Sequence, residues 1–112
     1  MIQPINFGRM IQIKTCEDLE RATSLNNLCF LKIGAPWCGP CKTLNKIIED
    51  VEKECSDVMF LEINADDCED DLITKFGIRN IPVTIVLKDS QIQSKELGVQ
   101  TKEQIKDRLL CK

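Results

Sequence analysis

Three short segments, "LCFLKI" at 28–33, "VMFLEI" at 58–63 and "VTIVL" at 83–87, are apolar almost throughout. A strand with one wet face alternates polar and apolar residues. Continuous runs of this length therefore predict strands covered on both faces, as in a mainly parallel sheet flanked by helices. A fourth candidate, Met10–Lys14, alternates Met10, Gln12 and Lys14 with Ile11 and Ile13, and reads as a more peripheral strand.

Between the runs the period changes. Leu44, Ile47, Ile48 and Val51 recur at spacings of three and four with charged residues on the other positions, which predicts a helix over about 39–55. Thr15 is placed to cap a helix over "CEDLERATSL". Asp66 or Asp67 begins a third helix that buries Leu72, Ile73 and Phe76, and Thr101 with Gln104 forms a capping-box pattern before "IKDRLL". A polar edge strand at about 91–97 precedes that last helix. The alternation of strands and helices is that of an α/β domain. Residues 1–9 carry no pattern and read as an N-terminal extension, leaving 10–112 as one domain. A chain of 112 residues buries roughly two thirds of its unfolded surface without a staple.

The net charge of −3 and the lack of any Lys/Arg cluster argue against a nucleic-acid partner. No apolar run approaches the roughly 20 residues needed to span a bilayer, and "MIQPINFGRM" lacks an uninterrupted apolar signal core, so a cytoplasmic protein with no membrane partner is expected. The seven cysteines, at 16, 29, 38, 41, 55, 68 and 111, are irregularly spaced, which suits mostly free thiols in a reducing compartment. Histidine is absent from the sequence, which removes a Cys-His nucleophile and a mixed Cys/His zinc site together. Cys29 reads as a small core residue, whereas Cys55, Cys68 and Cys111 lie in polar or terminal contexts open to oxidation or intermolecular bridging. The acidic stretch "DDCEDD" at 66–71 lacks the Gly and terminal Glu of a calcium loop and reads as a solvated loop and helix start.

"GAPWCGPCKTLNK", residues 34–46, concentrates the chemistry. Cys38 falls where a buried strand ends and a helix begins, so unpaired amides and the positive helix end favour its thiolate. Cys41 lies one turn further in, near Cys38 and shielded. Such a pair suits a redox centre in which Cys38 attacks a disulfide and Cys41 resolves the mixed disulfide. A structural bridge and a zinc half-site stay open at this point, although zinc needs four ligands and no second pair exists, so no metal site is expected. Gly39 leaves room beside the attacking sulfur, Pro40 is tolerated in the first turn, and Trp37 adds an apolar surface at the mouth.

"APWCGPCK", "FGIRNIPVTIVLKD" and the later "ELG" closely resemble the thioredoxin family, from about Met10 to the C-terminus. The resemblance implies a thioredoxin fold, with a central mixed β-sheet of about five strands flanked by about four helices. It implies a protein-disulfide reductase with Cys38 as nucleophile and Cys41 as resolving thiol. The centre would be a redox-active Cys38–Cys41 disulfide with no bound cofactor, in a monomer that acts on disulfide-containing client proteins and is recycled by a reductase. It implies a cis Ile81–Pro82 bond, and a substrate groove of Trp37, Gly39, Pro40, Ile81, Pro82 and Gly98.

Three departures qualify it. Lys46 replaces the proline of the family's second helix, so a kink there is expected to be weaker or absent, and Gly34 stands where many members carry Trp. Lys32 stands where typical members carry a buried Asp that assists the resolving cysteine. Lys32 and Glu62 are the sole charges in their apolar runs, so they are expected to face one another beneath the cysteines, a swapped version of the family's pair; otherwise both snorkel at strand ends. A buried cation also leaves open a thiol oxidant or isomerase of raised reduction potential. A third reading is a partner-binding subunit that uses the cysteines as a redox switch.

Overall fold

The computed structural model describes residues 10–111; the extension read over 1–9 lies outside the described residues. The elements are β1 (Ile11–Gln12), α1 (Cys16–Leu25), β2 (Leu28–Gly34), α2 (Gly39–Glu54), β3 (Met59–Asn64), α3 (Asp70–Phe76), β4 (Val83–Lys88), β5 (Gln91–Leu97) and α4 (Lys102–Leu109). They form one sheet in the order β1-β3-β2-β4-β5. The β1–β3–β2 half is parallel, whereas β4 and β5 run antiparallel. This is the mixed five-stranded sheet with four helices that the resemblance implies.

The apolar runs serve two cores, because successive side chains in a strand point to opposite faces. Cys29, Leu31 and Ile33 of β2 join Leu61, Ile63, Ile85 and Leu87 on the face packed against Leu19, Ala22, Leu72 and Phe76 of α1 and α3. Phe30, Phe60 and Val86 face the other way, against Leu44, Ile48 and Val51 of α2 and Ile105 and Leu109 of α4. Lys32 has the parity of Phe30 and Glu62 that of Phe60, so both belong to the α2 face. The register pairs them directly.

The helix starts follow their caps. Thr15 and Asp18 make a full capping box on α1, and Thr101 and Gln104 make one on α4. The backbone amides of Lys14 and Thr15 hold the Asp18 carboxyl below its ordinary value. That cap also corrects the first expected strand. Only Ile11 and Gln12 pair with β3; the Ile13 amide still donates to the Glu62 carbonyl at 2.8 Å, but the Lys14 amide turns to Asp18 Oδ2 at 3.0 Å and ends the ladder.

A second correction concerns α3, which begins at Asp70 rather than Asp66 or Asp67. Asn64 Oδ1 accepts from the Asp66 amide and the Asn64 carbonyl from the Asp67 amide, each at 2.9 Å, so the acidic stretch first makes a turn. Leu72 and Phe76 are buried as expected, and Ile73 only half so. Helix α2 runs unbroken through Lys46.

Arg108 was not legible as a structural residue. From α4 it reaches the sheet, donating to Thr84 Oγ1 at 2.6 Å, the Thr84 carbonyl at 3.0 Å and Ser94 Oγ at 3.0 Å, and its guanidinium lies 5.7 Å from the Phe30 ring centroid. Thr84 is fully buried, so Arg108 satisfies a hydroxyl that water cannot reach. Arg108→Met is expected to lower unfolding free energy by about 1–3 kcal/mol in urea denaturation. Adding Thr84→Val recovers part of the loss, because the stranded hydroxyl is then gone.

Candidate functional site

The site is assembled where β2 leaves the sheet. The chain passes from Gly34 through Ala35–Trp37, and Cys38 becomes the N-cap of α2, with Pro40 in the first turn, where its missing N–H costs nothing. Cys38 Sγ accepts from the Cys41 amide at 3.2 Å, as a capping oxygen would. Cys38 and Cys41 are bonded as a disulfide with Cα atoms 5.2 Å apart. Cys41 is 1% exposed and Cys38 5%, which leaves Cys38 the outer sulfur.

The Ile81–Pro82 peptide is cis, and Ile81 packs against Ala35, Cys38 and Cys41. The Gly98 amide donates to the Pro82 carbonyl at 2.8 Å, tying the end of β5 to this loop; Gly98 has φ of 95°, a backbone that a side chain would strain. Trp37 is 69% exposed beside the cysteines, and its indole N–H donates to Asp66 Oδ2 at 2.6 Å. Asp66, expected as a helix start, instead accepts from the indole; nothing local in the sequence marks a partner 29 residues from Trp37.

Beneath the disulfide, Lys32 is 2% exposed and its Nζ donates to Glu62 Oε2 at 2.7 Å. The other oxygen, Glu62 Oε1, accepts from Gln12 Nε2 at 2.7 Å. Gln12 was not singled out in the sequence, because its side chain enters the site only through the β1–β3 pairing. A buried ammonium is tolerable only when paired and hydrogen-bonded, and this arrangement provides both.

Gly34 is what lets the charge and the sulfur approach. A Cβ at that position would lie 2.8 Å from Cys41 Sγ and 2.9 Å from Lys32 Nζ, so both groups occupy the space that a side chain would fill. A cavity of about 260 Å³ opens alongside, lined in part by Gln12, Lys32, Gly34, Asn45, Glu62 and Asn64. Asn45 Oδ1 is buried there without a hydrogen-bond partner among the described residues. These walls are polar enough to hold water beside Glu62 and Lys32.

The three other thiols are shifted away from the thiolate. Burial pushes the Cys29 thiol up to about 11. Burial, together with nearby Glu69 and Asp71, raises that of Cys16; burial, with Asp70 and Asp67, raises that of Cys68. Cys55 is buried and bonded to Cys111, so four of the seven cysteines are paired, against the expectation of mostly free thiols. Cys55 and Cys111 are thus partners within one chain rather than sites for bridging two, and their separation of 56 residues hid the pairing from the sequence.

A family model described as thioredoxin matches residues 12–110. The thioredoxin of Mycoplasmoides gallisepticum is 30% identical over 100 residues, spanning 89% of this chain and 99% of that protein. That of Bacillus subtilis is 27% identical over 99 residues, spanning 88% and 94%. Among solved structures, a mutant thioredoxin from Halobacterium salinarum matches with a TM-score of 0.84 at 22% identity, over 96% of this chain and 93% of that one. Fasciola hepatica thioredoxin matches with a TM-score of 0.82 at 22% identity, over 90% and 97%. At those identities the structures speak for the fold, while the family match and the bacterial relatives speak for the lineage. The chain belongs to the thioredoxin family and is a thiol-disulfide oxidoreductase that reduces disulfides in proteins.

Proposed function

We propose that Cys38 is the nucleophile and Cys41 the resolving thiol of this reductase. The observation that carries the reading is the place of the pair: at the N-terminus of α2, with Cys38 the outer sulfur, against the cis Ile81–Pro82 bond. The unpaired amides of the first turn favour a Cys38 thiolate over the thiol. In the reduced enzyme that thiolate attacks one sulfur of a client disulfide; a Cys38–client bond forms, the client bond breaks, and the departing client sulfur takes a proton. Cys41 then loses its proton and attacks Cys38, forming the Cys38–Cys41 bond and releasing the second client thiol. Two electrons pass to the client, and a reductase returns them.

Trp37, Gly39, Pro40, Ile81, Pro82 and Gly98 form the groove that receives the client as an extended segment. The centre is the cysteine pair alone, with no bound cofactor. The enzyme works as a cytoplasmic monomer, with 10–112 as its domain and 1–9 as an extension. Among the described residues no helix is long and apolar enough to cross a membrane.

Lys32 and Glu62 act as positioning residues for the second step. The Lys32 ammonium, beside the space shared with Cys41, favours the thiolate by its charge, and Glu62 carries the proton away through water in the adjoining cavity. Supporting this role, Lys32 and Glu62 face one another across β2 and β3 and bond at 2.7 Å.

Cys38→Ser is expected to abolish reductase activity, whereas Cys41→Ser accumulates a stable mixed disulfide through Cys38, read by mass spectrometry; a Cys41→Ser enzyme that turns over normally would reverse the assignment. Glu62→Gln is expected to slow disulfide reduction on the order of 10²-fold, the low end for an acid–base group. Lys32→Met moves the inflection assigned to Cys41 in the pH–rate profile to higher pH, because the thiolate loses its cation; unchanged profiles in both variants would remove the pair from the mechanism. Gly34→Ala, whose Cβ has no room beside Cys41 Sγ, is expected to cost about 1–3 kcal/mol of stability in thermal or urea unfolding. It also lowers reductase activity by displacing Lys32.

A further inference from the structure

Helix α2 has a cysteine at each end, and each is bonded to a different partner. Cys38 caps its N-terminus; Cys55 is its C-cap, with its amide donating to the Val51 carbonyl at 2.9 Å. Cys111 follows α4, and its Cα is 5.9 Å from that of Cys55, a separation that a disulfide spans without backbone movement. Leu110 makes this possible by adopting a left-handed conformation, φ 56°, which turns the chain so that the Cys111 amide donates to the Lys106 carbonyl at 2.9 Å.

We propose that Cys55 and Cys111 are a second dithiol–disulfide couple, which clasps α4 to the end of α2 and stays oxidised under conditions that reduce Cys38–Cys41. The opposed ends of one helix set the difference. Amides at the N-terminus favour a thiolate at Cys38, so it leaves its disulfide readily. Carbonyls at the C-terminus disfavour a thiolate at Cys55, and its burial to 4% exposure disfavours it further. Glu54, one residue before, bonds both Lys102 and Lys106 of α4, so the two helices remain drawn together when the bond is broken. The thiols then stay at high effective concentration and close again.

Reduction begins at Cys111, the more accessible sulfur. A thiolate attacks Cys111 Sγ, a mixed disulfide forms, and the Cys55–Cys111 bond breaks with Cys55 leaving and taking a proton. A second thiolate attacks the mixed disulfide, releasing the Cys111 thiol and a low-molecular-weight disulfide. Closure is the reverse, with a disulfide such as oxidised glutathione accepting the two electrons.

The test equilibrates the full chain across ratios of reduced to oxidised glutathione, quenches with acid, alkylates, digests and reads each pair by mass spectrometry. The midpoint for Cys55–Cys111 is expected at a [GSH]²/[GSSG] value at least about tenfold above that for Cys38–Cys41. Coincident midpoints, reversed order, or Cys111 recovered mainly as a glutathione adduct or an intermolecular bridge would overturn the proposal. C111S adds a second readout by amide hydrogen exchange. Exchange in α4 is expected to quicken by about tenfold or more relative to the oxidised parent, with reduction of a model protein disulfide unchanged. Unaltered exchange in α4 would show that the bond clasps nothing.

Discussion

Strand β2 lies between β3 and β4 with helices over both faces, so water reaches it only at its ends. Much of the site follows from that enclosure. A charge in such a strand needs a counter-charge on a neighbouring strand, and the register gives Lys32 one in Glu62. The chain leaves enclosure at Gly34 and turns at once into a helix. The unpaired amides of α2 therefore gather at the rim of the sheet, where Cys38 sits. The Cys38–Cys41 disulfide lies at the exit of a deeply covered strand, where buried backbone gives way to exposed helix end.

The parts legible in the sequence were those set by local rules. The apolar runs located β2, β3 and β4 to within a residue or so, and the Thr15 and Thr101 caps placed the starts of α1 and α4. The facing of Lys32 and Glu62 could be inferred because isolated charges in two covered strands have few other ways to be satisfied. The cis bond before Pro82 came from family resemblance and not from any periodicity. What stayed hidden depended on tertiary approach: Arg108 on Thr84, Gln12 on Glu62, Trp37 on Asp66, and Cys55 on Cys111. The late start of α3 was missed for a different reason. Asp66 and Asp67 suit both helix starts and turns, and the neighbouring Asn64 decided in favour of the turn.

The chemistry also depends on restraint elsewhere. Cys16, Cys29 and Cys68 sit where burial and, for two of them, surrounding carboxylates disfavour thiolates. A protein whose work is thiol exchange carries seven cysteines, and these three are disfavoured as competing nucleophiles. The substitution that fills or empties position 34 matters for the same economy of space: a larger residue there would separate the ammonium from the sulfur that it adjoins.

The sheet is open, and open sheets can grow. Among the described residues, β1 at one margin offers two residues. At the other, β5 is longer but mostly polar, and Lys95 turns from it to donate to the Phe76 and Gly77 carbonyls at the end of α3. A brief strand on one side and a charged, tethered one on the other are poor templates for recruiting a foreign strand. Among the described residues, the same boundaries that close the sheet thus guard it against amyloid-like stacking.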